Sequence, residues 1–109
     1  MDPEENLRIN FPVVNTDKHV KGVIIDISFG GVAFQLDKAE DTEFFIDGQY
    51  INNVQFKIKG KIAIARCQVV AKKKTSNDEH LAALKFIGMN PNAKTIIARY
   101  IHDKLIATW

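Results

Sequence analysis

Several features that mark secreted or membrane proteins are scarce or missing in this sequence. A single cysteine, Cys67, has no partner for an internal disulfide, which agrees with a reducing, cytoplasmic location. No stretch approaches the roughly 20 apolar residues that a membrane-spanning helix needs, so no membrane insertion is expected. The opening residues, MDPEEN, are acidic and polar, unlike a secretory signal.

Motifs for catalysis and metal binding are missing as well. His19, His80 and His102 are scattered, with no cysteine or carboxylate at metal-ligand spacing. Cys67 stands among apolar residues, which is typical of a core position rather than a nucleophile. No G-x-S-x-G elbow, Walker motif or dinucleotide glycine motif occurs. We therefore expect a protein that is not an enzyme and that has no metal, cofactor or catalytic residue.

A strong excess of one charge is also missing. The formal net charge is +2, too small by itself to indicate nucleic acid or an anionic membrane as a partner. The basic run at 72–74 leads into a polar loop, and a solvated hairpin end is the expected structure there. The sequence offers no cluster of exposed aromatic residues on which bases would stack, so no nucleic-acid partner is expected.

What is present is the composition of one folded domain. The 109 residues are 46% hydrophobic and 26% charged, and the sequence contains no internal repeat or low-complexity linker. We expect residues 1–109 to form a single domain, with a flexible arm at 1–6, a β-barrel at 7–88 and a helix at 91–107.

The order of strands and helix follows from the periodicity of apolar residues. Alternation predicts strands at 7–14, 19–28, 32–36, 54–58, 61–74 and 80–88. After Asn90-Pro91, a plausible cap and first helical residue, Ile97, Tyr100, Ile101 and Leu105 recur at helical spacing. Several short strands followed by one amphipathic helix predict a barrel or sandwich with a helical lid.

Two strands depart from simple alternation. In 19–28, Asp26 and Ser28 have the same parity as Ile24, so all three are assigned to one face. In 61–74 the apolar parity changes between Ile64 and Cys67, which predicts a bulge or bend near the middle of that strand.

The segment IIDISFGGVAF, Ile24 to Phe34, is the strongest candidate for a site. Asp26 and Ser28 project from the same side, about 6–7 Å apart along the chain, just before a glycine turn. Gly31 can adopt backbone angles that other residues resist, so the chain can reverse there. The carboxylate can accept two hydrogen bonds from a guanine edge, but Asp and Ser also bond their own backbone in turns. The residues alone leave both possibilities open.

This segment resembles the D/N-x-S-x-x-G motif of the PilZ domain family. Asp26-Ile27-Ser28-Phe29-Gly30-Gly31 matches the motif, and Leu84-Lys85-Phe86 and Ala98-Arg99-Tyr100-Ile101 resemble the family's late strand and helix. The resemblance covers nearly the whole chain. It implies a six-stranded antiparallel, split β-barrel closed by one C-terminal amphipathic helix.

The resemblance also implies a ligand and a site. PilZ domains are receptors for the bacterial second messenger cyclic di-GMP. They hold it between this hairpin and an N-terminal R-x-x-x-R stretch, whose guanidinium groups stack on guanine and pair with phosphate. The ligand-binding residues implied here are Arg8, Asp26, Ser28, Gly30 and Gly31.

The arginine motif is incomplete in this sequence. Arg8 suits the second arginine, but Glu4 occupies the place of the first, and a carboxylate there repels phosphate. Losing one such contact costs about 2–4 kcal/mol of binding free energy. Lys18, Lys21 and Arg66 are the candidate substitutes for the missing arginine.

Two functions follow from the resemblance. The first is a cyclic di-GMP receptor whose arm closes over the ligand and which signals to an unknown protein partner or to further domains of a longer protein. It would act as a monomer or homodimer, with motility or exopolysaccharide synthesis among the outputs typical of the family. The alternative is a degenerate PilZ domain that binds no nucleotide and acts as a protein-interaction adaptor through its helix or a sheet edge.

Overall fold

Six antiparallel strands form a closed barrel with one helix at its C-terminal end. The computed structural model describes residues 7–13 and 16–107, and side chains through 104. The strands follow one another around the barrel in the order β1-β2-β3-β6-β5-β4. The elements are β1 (Arg8–Pro12), β2 (His19–Ile27), β3 (Gly31–Leu36), a short 3-10 helix (Ala39–Phe44), β4 (Tyr50–Ile58), β5 (Lys61–Lys74), β6 (His80–Met89) and α1 (Pro91–Ala107). The predicted barrel with a C-terminal helix is confirmed.

Alternate residues of each strand fill the barrel interior, as the sequence pattern predicts. In β4, for example, Val54, Phe56 and Ile58 are buried while the residues between them are exposed. Phe11 packs edge-on against Phe45 with ring centroids 5.6 Å apart, and the two rings lie in the same core. Burying a side chain of this size contributes about 1.5–3 kcal/mol, so the interior stabilises the closed barrel.

The helix begins where the sequence predicts and docks through an apolar stripe. Asn90 Oδ1 accepts a hydrogen bond from the Ala93 N–H at 2.7 Å, which caps the first turn. Ala93 and Ile97 are buried against the barrel. Leu105 was predicted to belong to the same stripe, and its side chain lies outside the described part of the structure. No helix in the ranges described is long and apolar enough to cross a membrane.

The predicted change of face in β5 is wrong. Ala63, Ala65, Cys67 and Val69 all point inward, so the inward parity is continuous. Ile62 and Ile64 lie on the outer face, 54% and 43% exposed. The apparent change of face arises because these two apolar residues lie on the outer face. The predicted irregularity near the middle of the strand is present as a shift of register with β6, between Arg66 and Cys67 and again between Val69 and Ala71.

Candidate ligand-binding site

A bulge in β2 brings Asp26 to the outer surface of the barrel. Ile24 pairs with Phe34 and Asp26 pairs with Ala33, which leaves Ile25 as an extra residue. Because one additional residue inverts the alternation of faces, Ile24 and Ile27 are both buried while Asp26 is exposed. The prediction that Asp26 shares a face with Ile24 is therefore wrong. Without the bulge, Asp26 would point into the barrel together with Ile24.

Ser28 is engaged within the turn that follows β2. Its N–H donates to the carbonyl oxygen of Gly31 at 2.9 Å, and its hydroxyl oxygen accepts the N–H of Gly30 at 3.3 Å. The hydroxyl also faces the Gly31 carbonyl at 3.4 Å, which is long for an O–H···O bond. The Asp26 carboxylate, in contrast, makes no hydrogen bond or ion pair with another described residue. Of the two possibilities that the sequence left open, bonding to the local backbone applies to Ser28 and does not apply to the Asp26 carboxylate.

The two glycines of the motif have different structural roles. A β-carbon on Gly31 would lie 2.3 Å from the carbonyl oxygen of Leu84 in β6, closer than any real contact. Its φ angle is not positive; among the described glycines, positive φ angles occur at Gly48 and Gly60. The prediction that Gly31 is required for its backbone angles is wrong; it is required because β6 approaches closely. A β-carbon on Gly30 would meet nothing within 4 Å.

Small residues form the floor beside Asp26. On the outer face of β3, Gly31 pairs with Lys85 and Ala33 pairs with Ala83 of β6. Asp26 stands on one side of this floor and Lys85 on the other, because Asp26 also pairs with Ala33. The result is an open depression of about 340 Å³, lined by Asp26, Ser28, Gly30, Gly31, Val32, Ala33, Val70, Ala83, Leu84 and Lys85.

Arg8 lies on the outside of β1 and is directed away from this depression. It pairs with Val23 across β2, and its guanidinium forms an ion pair with the carboxylate of Asp37. Asp37 follows the end of β3 opposite to Gly31, so Arg8 and Asp26 are not brought together. The Leu7 carbonyl accepts the Ile24 N–H at 2.8 Å. The first described residue therefore contacts β2 at a position two residues before Asp26 in the sequence. Glu4 and the predicted flexible arm lie outside the described residues.

The fold and this motif can be compared with known proteins. The family model described as PilZ domain matches residues 5–103. The chain belongs to the PilZ domain family. No curated protein matches its sequence.

Solved structures similar to this PilZ domain share its fold at low sequence identity. The PilZ domain with c-di-GMP of YcgR from Escherichia coli has 13% identity and a TM-score of 0.72, over 94% of this chain and 83% of that chain. MrkH from K. pneumonia in its apo state has 14% identity and a TM-score of 0.80, over 99% and 53%. The Bacillus subtilis inhibitor of motility (MotI/DgrA) has 13% identity and a TM-score of 0.73, over 92% and 47%. This chain thus spans about half the length of the latter two.

The other cations considered for this PilZ domain lie elsewhere. Lys18 Nζ lies 5.6 Å from the ring centroid of Phe44, and the Arg66 guanidinium lies 4.8 Å from that of Tyr50. Lys21 lines a separate polar depression. None of the three lines the depression beside Asp26. In the part of the chain that the structure describes, no group of three His, Cys, Asp or Glu residues is placed to hold a metal ion.

The half of the depression that β5 and β6 provide in this PilZ domain was not predicted from the sequence. Lys85, Ala83 and the exposed Val70 all line it. Gly31 and Ala33, which alternate with buried residues of β3, are visible in the sequence as small residues of an outer face, and Ala83 of β6 is small as well. Their position beside Asp26 depends on the pairing of β3 with β6, which the alternation pattern does not specify.

Proposed function

We propose that this PilZ domain binds cyclic di-GMP on the outer face of β2, β3 and β6. The observation that carries the proposal is the position of Asp26. Its carboxylate is exposed by the bulge, has no partner among the described residues, and stands beside an open floor of small residues. The family membership and the YcgR PilZ domain solved with c-di-GMP support this choice of ligand.

The chemistry of each residue follows from its surroundings. The two oxygens of Asp26 accept the paired N–H donors of a guanine edge. Gly30 has open space where a side chain would stand, so a ligand can approach the backbone there. Ser28 holds the turn in shape through its bonds to Gly30 and Gly31. The hairpin therefore offers one charged acceptor on a rigid turn.

Arg8 takes part by exchanging one partner for another. In the structure its guanidinium forms an ion pair with the carboxylate of Asp37. When cyclic di-GMP is bound, the residues before Leu7 close over the hairpin and Arg8 leaves Asp37 for the ligand. Closure of the arm over the ligand creates a new surface for a protein partner, or for further domains of a longer protein.

Calorimetric titration of cyclic di-GMP tests this function. We expect the wild-type domain to release or absorb heat on binding, and Asp26→Ala and Arg8→Ala each to lower the affinity at least tenfold (about 1.4 kcal/mol). Asp47→Ala is the matched control, because Asp47 is an exposed carboxylate outside the depression. Absence of binding by the wild type at hundreds of micromolar ligand would reject the proposal.

A second function, that of an adaptor without nucleotide, is favoured by a different surface. Strands β4, β5 and β6 contain no Asp or Glu, and Ile62, Ile64 and Ile87 are exposed on them. A basic, partly apolar face of this kind complements the acidic surface of a protein partner. The described strands close into a barrel and so offer no free sheet edge. If the wild type binds no cyclic di-GMP, while Ile62→Glu with Ile64→Glu abolishes binding to an acidic protein partner, the adaptor function is supported.

A further inference from the structure

We infer that Lys85 supplies the phosphate-binding cation of this site, from the strand opposite Asp26. The inference rests on the proposed function and names a residue that the family motif does not include. Lys85 lies in β6 directly across from Gly31, the last glycine of the motif. It lines the same depression as Asp26, Ser28 and Gly30.

The Lys85 ammonium is available for a ligand. Its side chain is exposed and makes no ion pair or cation–π contact with another residue in the described ranges. Two lysines of the neighbouring strand β5 already have partners. Lys72 Nζ donates to the Phe45 carbonyl at 2.9 Å, and Lys74 Nζ lies 3.3 Å from the carboxylate of Asp78. Lys85 is also the only lysine or arginine among the residues lining the depression.

The distance between Asp26 and Lys85 suits a cyclic dinucleotide. Two strand spacings separate them across the sheet, and their pairing partners on β3, Ala33 and Gly31, are two residues apart. With about 4.8 Å per strand and 3.4 Å per residue, their Cα atoms are about 12 Å apart. A guanine base whose edge meets Asp26 therefore places its sugar and phosphate over the small residues and toward Lys85.

The electrostatics of the site also require a cation at this place. Asp26 is the one carboxylate among the lining residues, and its charge repels the phosphates of the same ligand that it recognises through guanine. Lys85 offsets this repulsion from a fixed strand, so the barrel can read a base at one end of the depression and a phosphate at the other.

Titration of cyclic di-GMP against three variants tests the role of Lys85. Lys85→Met removes the charge and keeps an apolar stem, and we expect it to weaken binding about fivefold to tenfold. Lys85→Arg keeps the charge and should bind within about threefold of wild type. Lys73→Met is the matched control, because Lys73 is an exposed lysine of β5 outside the depression. Its affinity should equal that of wild type.

The dependence of affinity on NaCl separates a direct phosphate contact from a structural effect. Screening weakens an exposed ion pair, so wild-type affinity should fall more steeply with salt than that of Lys85→Met. The melting temperature without ligand should be the same for both. Equal affinity and equal salt dependence of wild type and Lys85→Met would overturn the inference while leaving the proposed function intact. Absence of wild-type binding would overturn both.

Discussion

The carbonyl oxygen of Leu84 lies 2.3 Å from the place where a β-carbon on Gly31 would stand. Because the obstacle is backbone of the neighbouring strand, it cannot move aside as the end of a flexible side chain can. Gly31 therefore fixes how closely β3 and β6 approach, and this approach sets the floor of the depression between Asp26 and Lys85.

Alanine substitutions at the two adjacent glycines should have opposite outcomes. Gly31→Ala forces β3 and β6 apart and should lower the free energy of unfolding by about 2 kcal/mol or more. Gly30→Ala meets open space at a φ angle that is not positive, so its stability should stay within about 0.5 kcal/mol of wild type. Urea unfolding followed by far-UV circular dichroism measures both. Equal stability of the two variants would contradict the role assigned to Leu84.

The ion pair of Arg8 with Asp37 should oppose ligand binding. If Arg8 must leave Asp37 to reach cyclic di-GMP, then Asp37→Asn removes its competitor. The pair is partly exposed, at 38% and 34% of the two side chains, so its loss costs little in stability. We expect affinity to rise about twofold to fivefold in calorimetry, and Asp47→Asn to change nothing. The rise should vanish when Arg8→Ala is combined with Asp37→Asn. A weaker affinity in Asp37→Asn would show that the pair helps the site instead.

The single thiol should make stability depend on alkaline pH. Burial raises the pKa of the Cys67 thiol from its ordinary value of 9.0 to about 12. Since the unfolded chain ionises first, the free energy of unfolding falls as pH rises from about 9 toward 12, by about 1.4 kcal/mol per pH unit. Below pH 9 the thiol is protonated in both states, and its contribution to the free energy of unfolding is fully present. Denaturant unfolding at pH 8 and pH 10.5 should therefore show a larger loss for wild type than for Cys67→Ala. Equal losses would mean that the folded-state thiol ionises as freely as the unfolded one.

The barrel and its helix can be predicted from the sequence because their signals are local. The alternation of Val54, Phe56 and Ile58 marks the inward face of β4, and Asn90 marks the start of α1. Where the pattern misleads, the cause is also local. Ile62 and Ile64 are apolar residues on an outer face, and apolar character alone does not distinguish such a surface from a core.

The site is less predictable because it depends on pairing between distant segments. Three isoleucines surround Asp26, and nothing in their order indicates that Ile25 is the extra residue of a bulge. Lys85 becomes a neighbour of Gly31 only through the register of β3 with β6. The motif identifies the hairpin side of the site, whereas the opposite side follows from coordinates.

Completing the arginine motif should strengthen binding if the hairpin is a nucleotide site. Glu4 stands four residues before Arg8, where the R-x-x-x-R pattern of the family has its first arginine. Glu4→Arg replaces repulsion of phosphate by a stacking, charge-assisted contact, and should raise affinity for cyclic di-GMP about tenfold or more. Glu5→Arg makes the same change of charge one residue away and is the matched control. Equal gains in both variants would indicate nonspecific attraction, and no gain in Glu4→Arg would mean that the arm does not cover the hairpin.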